Sequence, residues 1–591
     1  MEMEKKNLAI IILAVVLAAS GIGNVVLAIA GGFFELAPPK ERIFNHADSG
    51  DVATLDPLNS WDGTSNTVLG QIFEPLFTYA WDSPELNYPH SPNLATSYFW
   101  DATSDYLTIN LREGVTFHDG TAFNATTVEW NFLRQDYYCN LTGTTPGTVV
   151  LAYPEYLWHF ADGVTPLWED HGVINNTAVF IDMTAPFTSI VDFLTYTATA
   201  MVSPTSFGWD YTAPMLTVAA RSGDLVGTGP YTFDMYSIGK ECWFYRYEDW
   251  WGNDVYGTPD IDTLVFTYFD DTTAMSTATI AGDYDWQEGC PVSLVPTAQA
   301  SDVVDYVSFF EETGQTAWCY CYIEMNTAQQ DPAIRRALNN VYNWSYVIYE
   351  LLDNLSVRPT SPVPFGMPGH DPTVQPPEFN ITKGRLEMQA LDPTTFGALP
   401  LTPGPATDAA WQAVASGWDI GDWHAGSTPY YLKMWVYAPS GFYATMEDLV
   451  SDWASLIGIR VEAEITEWSY YIAQWAIDPD WLDLWLICWC PDYINALNML
   501  APIMHPESIF NSGQNDDAQI NAWLDEASTT TDPVLYNQRI SQIQHRFVEV
   551  LASHIPFSYD KLDYLIKKGW KGCNYNAMRS IYYFQMYWDP D

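Results

Sequence analysis

Four of the eight cysteines stand in two C-x-C pairs, Cys319 with Cys321 and Cys488 with Cys490, a set able to ring a metal ion or to close disulfides. Structural zinc sites usually space their thiols two or more residues apart. Within an apolar run, C-x-C places both side chains on one strand face. Cross-strand disulfides or buried thiols are therefore expected, with a connectivity the sequence does not reveal, and no metal site. Asp283 and Asp285 carry the chemistry of a glycosidase pair, in which two carboxylates flank the scissile bond. Among 73 acidic residues such pairs arise by chance. The ten histidines include no pair at helical spacing, which disfavours a histidine metal centre. No G-x-S-x-G, H-E-x-x-H or phosphate-loop pattern occurs. Gly227-Thr228-Gly229 lacks the further glycine or lysine of a phosphate loop and reads as a turn. An enzyme is not expected, nor is a cofactor.

A chain of 591 residues holds two or three packed units. Lys and Arg number 23 against 73 Asp and Glu, a formal charge of −50, and such a surface repels phosphate backbones. Nucleic acid is excluded as a partner. Charged residues are only 16% while hydrophobic residues reach 48% and aromatic ones 15%, so the chain is globular rather than an acidic disordered tail. An acidic excess reached by depleting Lys and Arg suits an extracellular or salt-exposed protein.

The N-terminus agrees. Lys5 and Lys6 precede an uncharged stretch from Asn7 to Phe34, apolar over Leu8–Leu17 and Val25–Ile29. It reads as a signal peptide cleaved after Ala30, or as an uncleaved anchor from Leu8 to Ala30, and both send the rest of the chain outside. Pro38 and Pro39 mark a linker. Six N-x-S/T sequons begin at Asn124, Asn140, Asn175, Asn343, Asn354 and Asn380, in keeping with an extracellular glycoprotein. The even cysteine count suits an oxidising compartment.

Up to about residue 310, short apolar runs such as Tyr106–Leu111 and Thr263–Tyr268 alternate with turn residues, as in a sheet-rich lobe. Beyond it, Asp331-Pro332 supplies an N-cap and a first-turn proline, and Ile334, Ala337, Leu338 and Val341 follow at helical spacing. Leu432, Met434 and Val436 alternate as a strand. A helix then starts at Thr445 with Asp448 and stops at Gly458, and Ile459–Ile465 alternates again. Strand, helix, strand predicts a parallel βαβ unit, with Leu482–Trp489 as a third strand. Pro372–Asp408, rich in Pro and Thr, is expected to be an insertion shaping a cleft rim.

Several stretches together resemble the extracellular solute-binding proteins of the dipeptide/oligopeptide class, family 5, receptors for ABC importers. These are Thr54-Leu55-Asp56-Pro57, Ile72-Phe73-Glu74-Pro75-Leu76-Phe77, Pro92–Ser97, Leu111–Thr121 (LREGVTFHDGT), Gly227-Thr228-Gly229-Pro230-Tyr231, Ala281–Asp285, Asp331–Leu338 and Gly458–Val461. The resemblance runs from about residue 43 to 590. It implies an α/β, two-lobed periplasmic-binding-protein type II fold (cluster C) with an extra subdomain inserted in lobe I. The segments expected are 1–40 targeting and linker, 41–312 lobe I with the insert at about 72–205, 313–555 lobe II, and 556–591 returning to lobe I. The crossings are expected near 310–318 and 552–558.

Trp489-Cys490-Pro491-Asp492-Tyr493 resembles the family's pocket motif, in which the aspartate receives a peptide's α-ammonium. That carries over to Asp492, with Trp489 walling the subsite and the backbone around Cys490 able to pair with an extended ligand. The family's second aspartate and proline are replaced here by Asn495 and Ala496. Across the cleft, Trp61, Gly63 and Thr64 occupy the other contact loop, Gly63 permitting close approach. The expected function is a monomeric extracellular receptor, anchored or secreted, that closes on small peptides by hinge motion and passes them to ABC permease subunits. Alternatives are an oligosaccharide receptor of the same fold, a chemoreceptor-coupled sensor, and an extracellular glycoside hydrolase.

Overall fold

The computed structural model describes residues 41–590 apart from 81–89, 148–150, 152–155, 218–222, 419–429, 438–440 and 467–481, together with the backbone of 26–29 and 32–35. Of the expected targeting segment, Val26–Ile29 and Gly32–Glu35 pair as antiparallel strands. The end of the apolar run is thus extended, where an anchor reaching Ala30 would be helical, in keeping with β-branched Val26 and Ile29. Residues 1–25 lie outside the described residues. Among the described residues no helix is long and apolar enough to cross a membrane.

Three larger sheets organise the rest. A seven-stranded sheet runs in the order Tyr231–Ser237, Glu241–Arg246, Thr263–Tyr268, Ile43–Asp48, Trp286–Glu288, Asp563–Lys567, Val304–Ser308. Its strand Ile43–Asp48 is parallel to both neighbours, so Asp48 and Glu288 emerge at the same carboxyl end. A six-stranded sheet takes Ser356–Val357, His554–Asp560, Tyr320–Met325, Leu484–Trp489, Tyr431–Tyr437 and Arg460–Thr466. A four-stranded antiparallel sheet within residues 95–183 builds its own core around Leu107, Ile109, Val179 and Ile181. The chain passes from the first sheet to the second between Ser308 and Tyr320 and returns between Asp560 and Asp563. The return lies later than the expected 552–558, because His554–Asp560 pairs with Tyr320–Met325 and so remains in the second sheet.

The predicted βαβ unit is present: Tyr431–Tyr437 and Arg460–Thr466 are parallel, joined by the helix Gly441–Ser455, and Leu484 and Trp485 pair beside them. The helix starts four residues before Thr445, since Thr and Asp are also tolerated inside helices. Asp331 caps Pro332–Val341 by accepting from Ala333 N–H at 2.8 Å. Pro372–Asp408 does not shape a rim. With the helix Pro405–Ala415 it buries Met388, Phe396 and Trp411 against the second sheet, and the fully buried Arg385 binds the Leu456 carbonyl at 2.8 Å and Asp408 at 2.6 Å. A few large residues anchor an otherwise polar segment.

Three family-like stretches converge on one point. A Cβ on Gly227 would lie 2.0 Å from the Ile72 carbonyl oxygen, and one on Gly229 2.7 Å from that of Gln71. Thr228 donates to Glu74 at 2.7 Å, and His118 N–H to the Gly227 carbonyl at 2.9 Å. These motifs are packing devices. Asp285 is one as well, accepting from the Asn45 N–H at 2.8 Å and Trp570 Nε1 at 3.1 Å, so it is not half of a glycosidase pair. The sequon asparagines are also locally employed: Asn124, Asn343 and Asn380 cap helices, Asn140 and Asn354 adopt positive φ, and Asn175 accepts from Thr177 N–H.

His171 lies between Glu129 at 3.0 Å and Asp136 at 2.8 Å, two acids on one face of the helix Ala125–Tyr138. Burial alone would lower its pKa, but hydrogen bonds and charge from Asp136 and Glu129 outweigh this and raise it to about 9. A raised folded pKa stabilises fully below the unfolded value of about 6.5 and is lost as pH rises through about 9. Unfolding measured from pH 6 to 10 should show about 3 kcal/mol lost across that window. His171→Gln should lack that component.

Candidate functional site

A cavity of about 1210 Å³ opens between the carboxyl end of Ile43–Asp48 in the seven-stranded sheet and the carboxyl end of Leu484–Trp489 in the six-stranded one. On the second wall, Leu484–Trp489 runs antiparallel to Tyr320–Met325. Its register with Tyr431–Tyr437 pairs Leu484 and Trp485, and the following Leu486–Cys490 line the cavity. Two adjacent disulfides, Cys319–Cys490 and Cys321–Cys488, join these antiparallel strands. They resolve the pairing that the two C-x-C motifs left open. Cys319 and Cys321 are buried in the core while Cys488 and Cys490 are exposed and line the cavity, so each rung joins the core to the cavity wall. Among the described residues no cluster of His, Cys, Asp and Glu could hold a metal ion.

Beyond the strand the chain turns at Pro491. Asp492 and the buried Asn498 hold one another: Asp492 N–H donates to Asn498 Oδ1 at 2.7 Å, and Asn498 Nδ2 donates to Asp492 Oδ2 at 2.9 Å. Trp489 Nε1 donates to the Asn498 carbonyl at 2.8 Å, and its ring meets Phe510 at 5.2 Å. Asn498 thus fixes both the acid and the aromatic wall. Ile494 N–H donates to Tyr79 at 2.8 Å and Asn495 Nδ2 to Ser189 at 2.7 Å, tying the turn to elements of the N-terminal half. Asn495 also caps the helix Ala496–Met504 through Leu497 N–H at 2.8 Å, which is the work its substitution for an aspartate still performs.

The facing wall holds the helix Gly63–Leu69, capped by Asp62 through Ser65 N–H at 2.8 Å. Trp61, Gly63 and Thr64 line the cavity here, so the structure brings all six sequence-selected residues, Asp492, Trp489, Cys490, Trp61, Gly63 and Thr64, to one space. Thr64 donates to Asp48 at 3.3 Å. A Cβ at Gly63 would meet nothing within 4 Å, so packing does not demand glycine there. Burial alone would raise the Asp48 pKa, but His46 at 3.7 Å and hydrogen bonds from Gly50 and Thr64 hold it below the usual carboxylate range. Desolvation raises Asp62.

Several lining residues escaped the sequence reading. Asp48 and Glu288 end adjacent strands, and Arg579, at φ +60°, pairs with Glu288. His46, Trp286 and Phe584 complete this side. Only the parallel pairing of distant strands brings them together, and no local spacing signals it.

Residues 90–511 match the family described as bacterial extracellular solute-binding proteins, family 5 middle. The chain belongs to that family. As a family 5 solute-binding protein it is a binding protein rather than an enzyme, and extracellular or periplasmic. A glutathione-binding protein of Pectobacterium atrosepticum is 25% identical over 317 residues, 53% of this chain and 54% of that protein. The chain thus spans about half the length of the curated relatives it matches. Its fold is similar to the periplasmic binding protein DppA of Helicobacter pylori in complex with the peptide STSA, at TM-score 0.74 and 16% identity over 93% of this chain and 98% of that one. It is similar also to NikA of Brucella suis in complex with Fe(III)-EDTA, at TM-score 0.73 and 16% identity over 93% and 100%. Proteins of this α/β, periplasmic-binding-protein-like fold are thus found in complex with chemically different solutes.

Proposed function

We propose that the protein captures small peptides and delivers them to an ABC importer. The observation that carries this reading is Asp492, a carboxylate positioned by Asn498 in the wall of the cavity beside Leu486–Cys490. A carboxylate in a partly desolvated cleft gains charge-assisted hydrogen bonds with an ammonium group. The strand residues Leu486–Cys490 beside it suit an extended ligand backbone. On this reading the two large sheets belong to two lobes of the cluster C type, the four-stranded sheet is an insert in lobe I, and 308–320 with 560–563 are the hinge crossings. Ligand contacts to both walls then favour the closed form, which the permease subunits distinguish from the empty receptor. The receptor acts as a monomer at the outer face of the membrane.

Calorimetry with free and N-acetylated peptides tests the reading. Free peptides should bind and acetylated ones should not. Asp492→Asn should weaken binding more than tenfold, about 1.4 kcal/mol, with an unchanged melting temperature. Binding of oligosaccharides alone would instead turn the aromatic walls, Trp61, Trp250 and Trp489 among them, into stacking platforms and remove the ammonium role of Asp492.

A further inference from the structure

The turn that carries Asp492 also reaches away from the cavity. Its next residue, Tyr493, is 8% exposed and sits in the core of the four-stranded sheet, its ring 5.7 Å from that of Phe193. Beside it Ile494 N–H donates to Tyr79 at 2.8 Å and Asn495 Nδ2 to Ser189 at 2.7 Å. Further along, Phe510 meets the buried Tyr156 at 5.8 Å. A Cβ on Gly163 would lie 3.1 Å from the Glu507 carbonyl oxygen, so the two backbones approach closely there. Tyr493, Asn495, Ser189, Phe193 and Tyr156 do not line the cavity. This seam therefore forms between protein groups alone.

The four-stranded unit is fixed to the side of the seven-stranded sheet. Arg134, on its helix Ala125–Tyr138, pairs with Asp56, and both are buried. Glu74 accepts from Thr228 at 2.7 Å. Contacts from Tyr493 to Phe510 thus cross from one half of the molecule to the other. Interfaces between parts that move freely are mostly polar, whereas an apolar one resists motion. At Tyr493 the seam is of the second kind, because its ring is continuous with the core around Leu107, Ile109, Val179 and Ile181. Parting the halves would draw that ring into water, which costs free energy whether or not a solute is present.

We propose that Tyr493 is a latch: seated in the core of the four-stranded unit, it favours the closed form in the empty receptor. This rests on the two-lobe reading and holds for any class of solute. Asp492 meets the solute, Tyr493 follows it directly in the chain, and both belong to one turn held by Asn498. The apparent affinity of every solute then scales with the closed fraction that the latch sets.

Small-angle scattering and hydrogen exchange of the full-length, solute-free protein test this. In the wild type the Ile494 amide, which bonds Tyr79 only while the seam is shut, should exchange at least about a hundredfold more slowly than an unstructured amide. Tyr493→Ala should remove that protection. It should also raise the radius of gyration by about 1 Å over the roughly 24 Å of a compact chain of this size. Tyr493→Phe keeps the ring and should match the wild type. An Ile494 amide that exchanges freely in the wild type overturns the latch, and this measurement decides even where Tyr493→Ala does not fold. Equal radii and equal protection in the wild type and Tyr493→Ala overturn the assignment to Tyr493, as does equal opening in Tyr493→Phe. If a variant with Tyr493, Asn495 and Phe510 all changed to alanine also stays compact and protected, the halves do not part and the two-lobe reading falls with the latch.

Discussion

Replacing all four bridged cysteines by alanine is expected to cost about 6–7 kcal/mol, whereas removing either disulfide alone should cost only about 2 kcal/mol. The asymmetry follows from the strand register. Cys319–Cys490 and Cys321–Cys488 close loops of 171 and 167 residues. In the chain-entropy account, either bond on its own restricts the unfolded state by about 5 kcal/mol. Once one is formed, the other closes only the few residues between the two rungs, and contributes about 2 kcal/mol. Chemical denaturation of the wild type, the two double-alanine proteins and the quadruple one forms a complete cycle. Additive costs for the two bonds would show that the rungs act independently and that this account of the sheet is wrong.

Gly227→Ala should be equally severe by another route. Its new methyl would sit 2.0 Å from the carbonyl oxygen and 2.7 Å from the carbonyl carbon of Ile72, both backbone atoms. No side-chain rotation relieves such a clash, so the loop must leave His118 and Glu74, which now hold it. A loss above about 4 kcal/mol, or failure to accumulate folded protein, is expected. Gly63→Ala is the control. It meets nothing within 4 Å and gains from alanine's better helix propensity, by a few tenths up to about 1 kcal/mol. If the two variants melted alike, the packing role assigned to Gly227 would fail.

These variants also mark what the sequence made legible. Gly227, His118 and Glu74 stand in dense motifs because backbone contacts fix several neighbours at once, and such constraints leave local patterns. Asp331-Pro332 and the alternation at Leu432, Met434 and Val436 were readable for the same reason: capping and strand pleat act over a few residues. The six site residues came instead from the family resemblance of Trp489–Tyr493 and of the loop after Leu55-Asp56-Pro57. Asp48, Glu288 and Arg579 did not, since a strand end, a second strand end and a C-terminal loop meet only through sheet order. Disulfide pairing was hidden because it depends on register between strands more than 160 residues apart. Pro372–Asp408 misled because its polar composition conceals Met388 and Phe396, each fully buried.

The two sulfur rungs have an effect on recognition as well. A strand joined covalently to its neighbour at two successive positions cannot slip by a residue, and a slip would turn each of its side chains to the opposite face. The face that carries Cys488 and Cys490 and the opposite face that carries Trp489 are therefore both fixed before any solute arrives. Ordering a recognition surface ordinarily subtracts from affinity. Here that ordering is completed during folding, so a solute laid along this strand has only its own freedom to lose.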